Sequence, residues 1–181
     1  MIIAGSFKKK QFITAVFFFK DNISKNNVMG ISGDKPNQLN WDYPSPYTMK
    51  VQVLQEEIDQ LGHANNRVYL NWIMTAAYAH SESLGLSVDD YLNIGVAMVA
   101  KRHELNYIAA TFANDDLIIG TWIATNDNRF NSKRKYQIIR LADKKTVLRA
   151  ETDWVSMNIQ HGKPQRMPER FIRCYQPTIL P

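Results

Sequence analysis

From Val68 to Ala79 the chain reads VYLNWIMTAAYA, and a helix over this stretch has almost no polar face. Val68, Tyr69, Leu70, Trp72, Ile73, Met74, Ala76, Ala77 and Ala79 are spread around its circumference rather than along one stripe. A helix apolar nearly all round has to be buried on most of its sides. In a chain of 181 residues, enough for one domain with a sizeable core, a strongly curved sheet wrapped around the helix meets that demand. The alanines let the surrounding backbone come close.

The flanking sequence supplies the sheet. Before the helix, YTMKVQVLQEE (Tyr47 to Glu57) places Met49, Val51 and Val53 on one face, the alternation of a half-buried strand. Asn65 or Asn66 is the expected N-cap, and the helix should run to about Leu84 with Gly85 as its stop. SVDDYLNIG (Ser87 to Gly95) reads as a short capped helix. Four strand-like segments follow: Val96 to Ile108, Asp116 to Asp127, Arg134 to Ala142 and Thr146 to Asn158. Asp115-Asp116 and Asp143 to Lys145 are expected hairpin turns. PERFIRCYQP (Pro168 to Pro177) reads as a terminal helix with Pro in its first turn. The order β-α-β-β-β-β with one long apolar helix is an α+β pattern.

The expected division is an extension and linker over 1–45, the main domain over 46–158, and a loop with a short helix over 159–181. Lys8 to Lys20 has a basic flank and a short apolar run that mimics a secretory signal. It lacks a small-x-small cleavage pattern and falls short of the roughly 20 residues that span a bilayer, so stable membrane insertion is not expected. Asn22 to Pro46, rich in Asn, Ser, Gly, Lys and Pro, reads as a linker. Cys174 is the only cysteine, which excludes an intramolecular disulfide and a multi-thiolate metal site and fits a cytoplasmic protein. The net charge of +5 favours anionic partners in general. No strand interleaves aromatics with clustered basic residues as a nucleic-acid binder would, and no His/Asp/Glu set has the spacing of a metal site.

The loop before the helix, DQLGHANN (Asp59 to Asn66), crowds polar, turn-forming and proton-handling groups at the mouth of an apolar helix. Asp59 to Gly62 suits a type I turn, and Asn65 an ordinary cap. The same residues suit a reaction site. Asp59 is a base or nucleophile, and free backbone N–H groups at Asn65 to Arg67 favour an oxyanion at a helix N-terminus. Gly62 lets backbone approach a substrate, and His63 is a residue type that can position a water or pass a proton to a leaving thiolate.

The loop and the element order together resemble the hot-dog thioesterases, in the branch of 4-hydroxybenzoyl-CoA thioesterase, the long-chain acyl-CoA thioesterases and the acyl-ACP thioesterases. The resemblance covers about Tyr47 to Asn158, with Tyr69 and Trp72 filling the aromatic places after the Asn pair. It implies a curved antiparallel sheet around one central helix. It also implies thioester hydrolysis with Asp59, His63, the Asn66 amide and Glu104 as the catalytic set, and an acyl-CoA or acyl-ACP substrate. No separate cofactor is expected, since CoA is part of the substrate. A homodimer or homotetramer with its site at the interface, Glu104 acting across the subunit boundary, is the expected assembly. Arg67, Lys133 and Arg134 are candidate receivers of CoA phosphates, and Lys163 and Arg166 are further basic residues. Trp72, Met74 and Tyr78 are possible acyl lining. Two positions depart from the family pattern: Ala64 stands where Val is common, and Leu61 where the acyl-ACP enzymes carry an asparagine. His80 is expected to cap the helix or face solvent. The rival readings are a non-catalytic acyl-thioester binding module, a hot-dog hydratase and a nucleic-acid binder.

Overall fold

The computed structural model describes residues 39–179, so the Lys8–Lys20 run and the linker up to residue 38 lie outside the described residues. Five strands form one antiparallel sheet: β1 (Tyr47–Gln52), β2 (Val96–Tyr107), β3 (Asp116–Asn126), β4 (Asn131–Arg140) and β5 (Thr146–Asn158). They lie in the order β1-β3-β4-β5-β2, so β1 and β2, adjacent in sequence among the strands, end at opposite edges. The helices are α1 (Asn66–Ser83), α2 (Val88–Ile94) and α3 (Glu169–Cys174).

Register sorts the side chains into two faces. Tyr107, Leu148, Ile138, Ile119 and Met49 form one cross-strand row over all five strands. Leu105, Ala150, Tyr136, Thr121 and Tyr47 form the next, two residues along each strand and so on the same face. This inner face holds α1, whose Tyr69, Trp72, Ile73, Ala76 and Ala77 are buried. The alanines behave as expected from the sequence: Ala76 and Ala77 are 0% and 1% exposed. Register shifts at Ala100/Arg102, Ile123/Thr125 and Ile138/Ile139 interrupt the ladders, and such irregularities increase strand twist, as a sheet wrapping a helix requires.

Local signals set the element ends. Asn65 caps α1, its Oδ1 accepting from the Arg67 amide at 3.0 Å, and Gly85 follows at φ +85°. Ser87 and Asp90 close a reciprocal capping box on α2. Pro168 stands at the N-cap of α3 rather than inside its first turn.

Residues 39–46, which the composition assigns to a linker, instead lie on the outer face of the sheet. The Gln137 side chain accepts from the Asp42 amide and donates to the Asn40 carbonyl, and the Trp122 indole donates to the Pro44 carbonyl at 2.8 Å. Asp42 takes the Arg149 guanidinium in a two-point pair at 2.6 and 2.8 Å. Trp41 packs edge-on to Trp122 over Gly120, where a Cβ would come within 2.5 Å of the indole. At the other terminus, α3 delivers Phe171 and Tyr175 into the core, 0% and 3% exposed.

Candidate active site

The loop between β1 and α1 is closed by backbone bonds, which fixes where its side chains stand. A bridge joins Ile58 to Ala64, the Asp59 amide donates to the His63 carbonyl at 2.8 Å, and the Gly62 amide donates to the Asp59 carbonyl at 3.0 Å. Gly62 sits at φ +80°, the left-handed region that favours glycine. Asp59 Oδ1 accepts from the Leu61 amide at 2.8 Å and, at a marginal 3.4 Å, from that of His63. The carboxylate is therefore held in place through one oxygen. No described residue engages the other.

The mouth of the helix is accounted for amide by amide. The Asn65 N–H donates to the Glu57 carbonyl at 2.9 Å, that of Arg67 to Asn65 Oδ1, and that of Val68 to the Asn65 carbonyl at 2.9 Å. Asn66 is the first helical residue, and its N–H has no intrahelical acceptor. The sequence offered a span of three amides for an oxyanion. Partnering removes Asn65 and Arg67 and leaves Asn66.

The loop is pinned from the far side of the β2–β3 connection. The Ala64 amide donates to the Thr111 carbonyl at 2.9 Å, and Tyr69 Oη meets Thr111 Oγ1 at 2.8 Å. Phe112, 48% exposed, sets its ring edge-to-face with that of exposed His63, centroids 5.4 Å apart. Tyr107, at the end of β2, donates its hydroxyl to the Asn66 carbonyl at 3.2 Å. Thr111, Phe112 and Tyr107 were missed in the sequence. They come from a turn and a strand end some forty residues downstream, and carry no local signal of chemistry.

A sequence profile of the thioesterase-like superfamily matches residues 53–173, which takes in the loop, the helix and four of the strands. The chain belongs to the thioesterase-like superfamily. Solved structures show the hot-dog fold for it. A 1,4-dihydroxy-2-naphthoyl-CoA thioesterase from Synechocystis superposes with a TM-score of 0.65 at 18% identity, over 72% of this chain and 96% of that one. A Staphylococcus aureus protein solved in complex with CoA gives 0.68 at 18% identity, over 78% and 92%. The 12:0-ACP thioesterase from Umbellularia californica gives 0.64 at 12% identity, over 74% of this chain and 51% of its own.

Within this thioesterase-like chain the remaining candidate residues, Arg67 excepted, stand apart from the loop. Glu104 is opposite Glu151 in register, with Lys135 and Trp122 next in the row. These belong to the outer face, and Glu104 pairs with exposed Arg102. No contact joins Glu104 to Asp59 or His63 within one chain. His103, one residue away, points inward and meets Thr152 Oγ1 at 2.9 Å through Nδ1.

The basic run Lys133-Arg134-Lys135 is divided by strand alternation. Lys133 binds Glu151 at 2.7 Å and Asp153 at 3.4 Å, and Lys135 donates to Tyr43 Oη at 2.7 Å. Arg134 faces the opposite way and is only 4% exposed. The three do not form one phosphate-binding patch. Arg67 is exposed beside the loop. Trp72, Met74 and Tyr78 are buried or half-buried against the core. His80 differs from its expectation: it is 6% exposed, stacks on Tyr47 with centroids 4.8 Å apart and meets Arg134. Among the described residues no three His, Cys, Asp or Glu side chains gather as a metal site, and no helix is long and apolar enough to cross a membrane.

Proposed function

We propose that the protein hydrolyses an acyl-CoA thioester to the free acid and CoA. One observation carries the reading: a carboxylate anchored through a single oxygen shares a short, closed loop with the one unclaimed amide at the mouth of α1. Thioester cleavage needs both, a group to deliver the nucleophile and a fixed donor for the carbonyl oxygen as it becomes an oxyanion. The free oxygen of Asp59 either takes a proton from the attacking water or attacks the carbonyl carbon itself, in which case water then cleaves the acyl–Asp59 anhydride to free acid and restores the carboxylate. Negative charge then collects on the former carbonyl oxygen, facing the Asn66 N–H and the positive end of the helix dipole. Collapse of the tetrahedral species expels the CoA thiolate, and His63, exposed on the same loop, supplies its proton.

Support for CoA as the carrier comes from neighbours named as a CoA thioesterase and as a protein in complex with CoA. Arg67 is the basic residue placed to meet a phosphate near the loop, with Lys133 farther off. The assembly is a homodimer or homotetramer. β2 is the long edge strand, 12 residues against the 6 of β1, and an unpaired edge of that length is a template for another chain. Glu104 acts across that subunit boundary, since within one chain it makes no contact with the loop.

The test is thiol release from acyl-CoAs of short, long and aryl type, with wild type and Asp59→Asn side by side. Asn keeps the shape and removes the carboxylate. Turnover by wild type, reduced on the order of 10²-fold or more in a variant that melts normally, is expected. Equal activity in the two refutes the assignment. Binding of acyl-CoA without turnover in either transfers the chain to the binding-module reading.

A further inference from the structure

Phe112 stands on the turn between β2 and β3 with about half of its surface, 48%, open to solvent. That turn is fastened on three sides. Toward the end of β1, the Val53 amide donates to the Asp115 carbonyl at 2.9 Å and the Asn114 amide to the Val53 carbonyl at 2.8 Å. Toward the mouth of α1, the Thr111 carbonyl takes the Ala64 amide and the Thr111 hydroxyl meets that of Tyr69. Toward the end of β4, Arg140 donates to the Ala110 carbonyl at 3.0 Å and to the Asp115 carboxylate at 3.2 Å, while its other nitrogens hold Asp143.

Within the turn, the Phe112 amide donates to Asp115 Oδ2 at 3.0 Å, and the Asp115 amide donates to the Phe112 carbonyl at 3.1 Å. Both backbone polar groups of Phe112 are therefore engaged, and Thr111 before it is fully buried. An exposed ring is mounted here on a fixed backbone.

What that ring meets is His63. The two centroids lie 5.4 Å apart with the planes at 69°, the edge-to-face arrangement that aromatic pairs favour. Among the described residues none hydrogen-bonds the His63 imidazole, although the His63 backbone is tied into the loop. A histidine that hands over a proton must keep one ring nitrogen turned toward the acceptor. A carboxylate or a carbonyl on the other nitrogen commonly sets that orientation. Here a neighbouring ring stands in that place.

Granted the proposed hydrolysis, in which His63 gives its proton to the departing thiolate, we infer that Phe112 is a positioning residue for that transfer. It holds the imidazole in the orientation that serves the sulfur, and the fastened turn holds Phe112. As the C–S bond breaks, the proton passes from the imidazole to sulfur and an S–H bond forms. The water consumed in the hydrolysis returns a proton to the imidazole, whichever part Asp59 plays. Phe112 itself carries no proton and touches no reacting atom. A ring pair of this kind favours one orientation by roughly 2- to 12-fold. The effect belongs to kcat, because binding of the substrate in its ground state does not draw on it.

The experiment uses the full chain, with kcat and KM for acyl-CoA hydrolysis read beside the ring-proton resonances of His63. Those are assigned among the chain's four histidines by their absence in His63→Gln. Phe112→Leu keeps the apolar bulk and removes the ring. Its kcat should fall by roughly 2- to 12-fold with KM little changed, and the His63 resonances should lose the ring-current shift that Phe112 imposes. Phe112→Tyr keeps the ring and should restore both. Asp115→Ala unfastens the Phe112 amide without touching His63, and should move the resonances as Phe112→Leu does. Added to His63→Gln, Phe112→Leu should cost nothing further, because the two side chains act as one unit. Losses that add in the double variant overturn the inference, and so do His63 resonances that Phe112→Leu leaves unmoved. A His63→Gln variant as active as wild type overturns the role of His63 in the hydrolysis itself, and leaves Phe112 nothing to position.

Discussion

His80 shows how one side chain takes its chemistry from what the fold brings to it. A histidine ordinarily titrates near 6.5, and this one is pushed down to about 3, first by burial and then by the Arg134 guanidinium beside it. Its folded-state value is therefore below the unfolded one. Above 6.5 both states are neutral there and the residue contributes no pH dependence. As the pH falls from 6.5 toward 3 the unfolded chain takes up a proton that the folded one refuses, and stability is lost by up to about 1.4 kcal/mol per pH unit. His80→Gln keeps a carbonyl acceptor for Arg134 and cannot titrate. The shift in urea midpoint between pH 7 and pH 5 should be clearly smaller in His80→Gln than in wild type, since the other three of the chain's four histidines act in both. Equal shifts would show that His80 is not held neutral. The sequence alone placed this residue at a cap or on the surface because its partner arrives from β4, 54 residues away. No local signal marks such a meeting. Arg134 was misplaced for the same reason: a run of three basic residues looks like one patch until alternation turns the middle one inward.

Elements were legible where a local device sets them. The Asn65 cap, the Gly85 stop, the Ser87–Asp90 box and the alternation of Met49, Val51 and Val53 each have a mechanism that acts within a few residues, and each stands where the sequence puts it. The loop at Asp59 to Gly62 is likewise both things the sequence allowed, a tight turn and a mount for a carboxylate. What the cap does for α1 can be separated from what it does for the amide next to it. Asn65→Ala should destabilise the protein by about 1 kcal/mol and also leave the Arg67 N–H free to compete for the substrate oxygen, so kcat should fall further than the stability loss explains. Asn65→Asp retains the acceptor and should restore both. A kcat unchanged in Asn65→Ala would detach the helix mouth from the reaction. The strap at 39–46 escaped sequence reasoning because its polar composition is that of a linker, and its anchors, Gln137, Arg149 and Trp122, lie on three later strands. Gly120→Ala tests it. The added Cβ meets Trp41 at 2.5 and 2.9 Å and Trp122 at 3.1 Å, so Trp41 must leave its seat. Faster amide exchange at Trp41 to Tyr43, with exchange in α1 unchanged, is the expected result; protection retained at Trp41 would mean the strap yields without detaching.

At the scale of the whole molecule the question is whether two carboxylates on different faces serve one site. Asp59 stands on the loop before α1, whereas Glu104 stands on the outer face of the edge strand, and no contact joins them in one chain. If β2 edges pair, each site takes Asp59 from one subunit and Glu104 from the other, and light scattering should give at least twice the 20.9 kDa of one chain. The sharper consequence is genetic complementation in the tube. Asp59→Asn and Glu104→Gln homodimers should each be weakly active. In a heterodimer of the two, one site combines both defects, and the other combines the intact Asp59 of one chain with the intact Glu104 of its partner. Unfolding and refolding an equal mixture makes half of the dimers heterodimers, each with one wild-type site, so about a quarter of wild-type activity should return by counting alone when dissociation is complete. A site confined to one chain cannot do this, because every subunit in the mixture still carries a defect in its own set. Activity no higher than the mean of the two variants would place Glu104 outside the reaction and leave Asp59, His63 and the Asn66 amide to act within a single subunit.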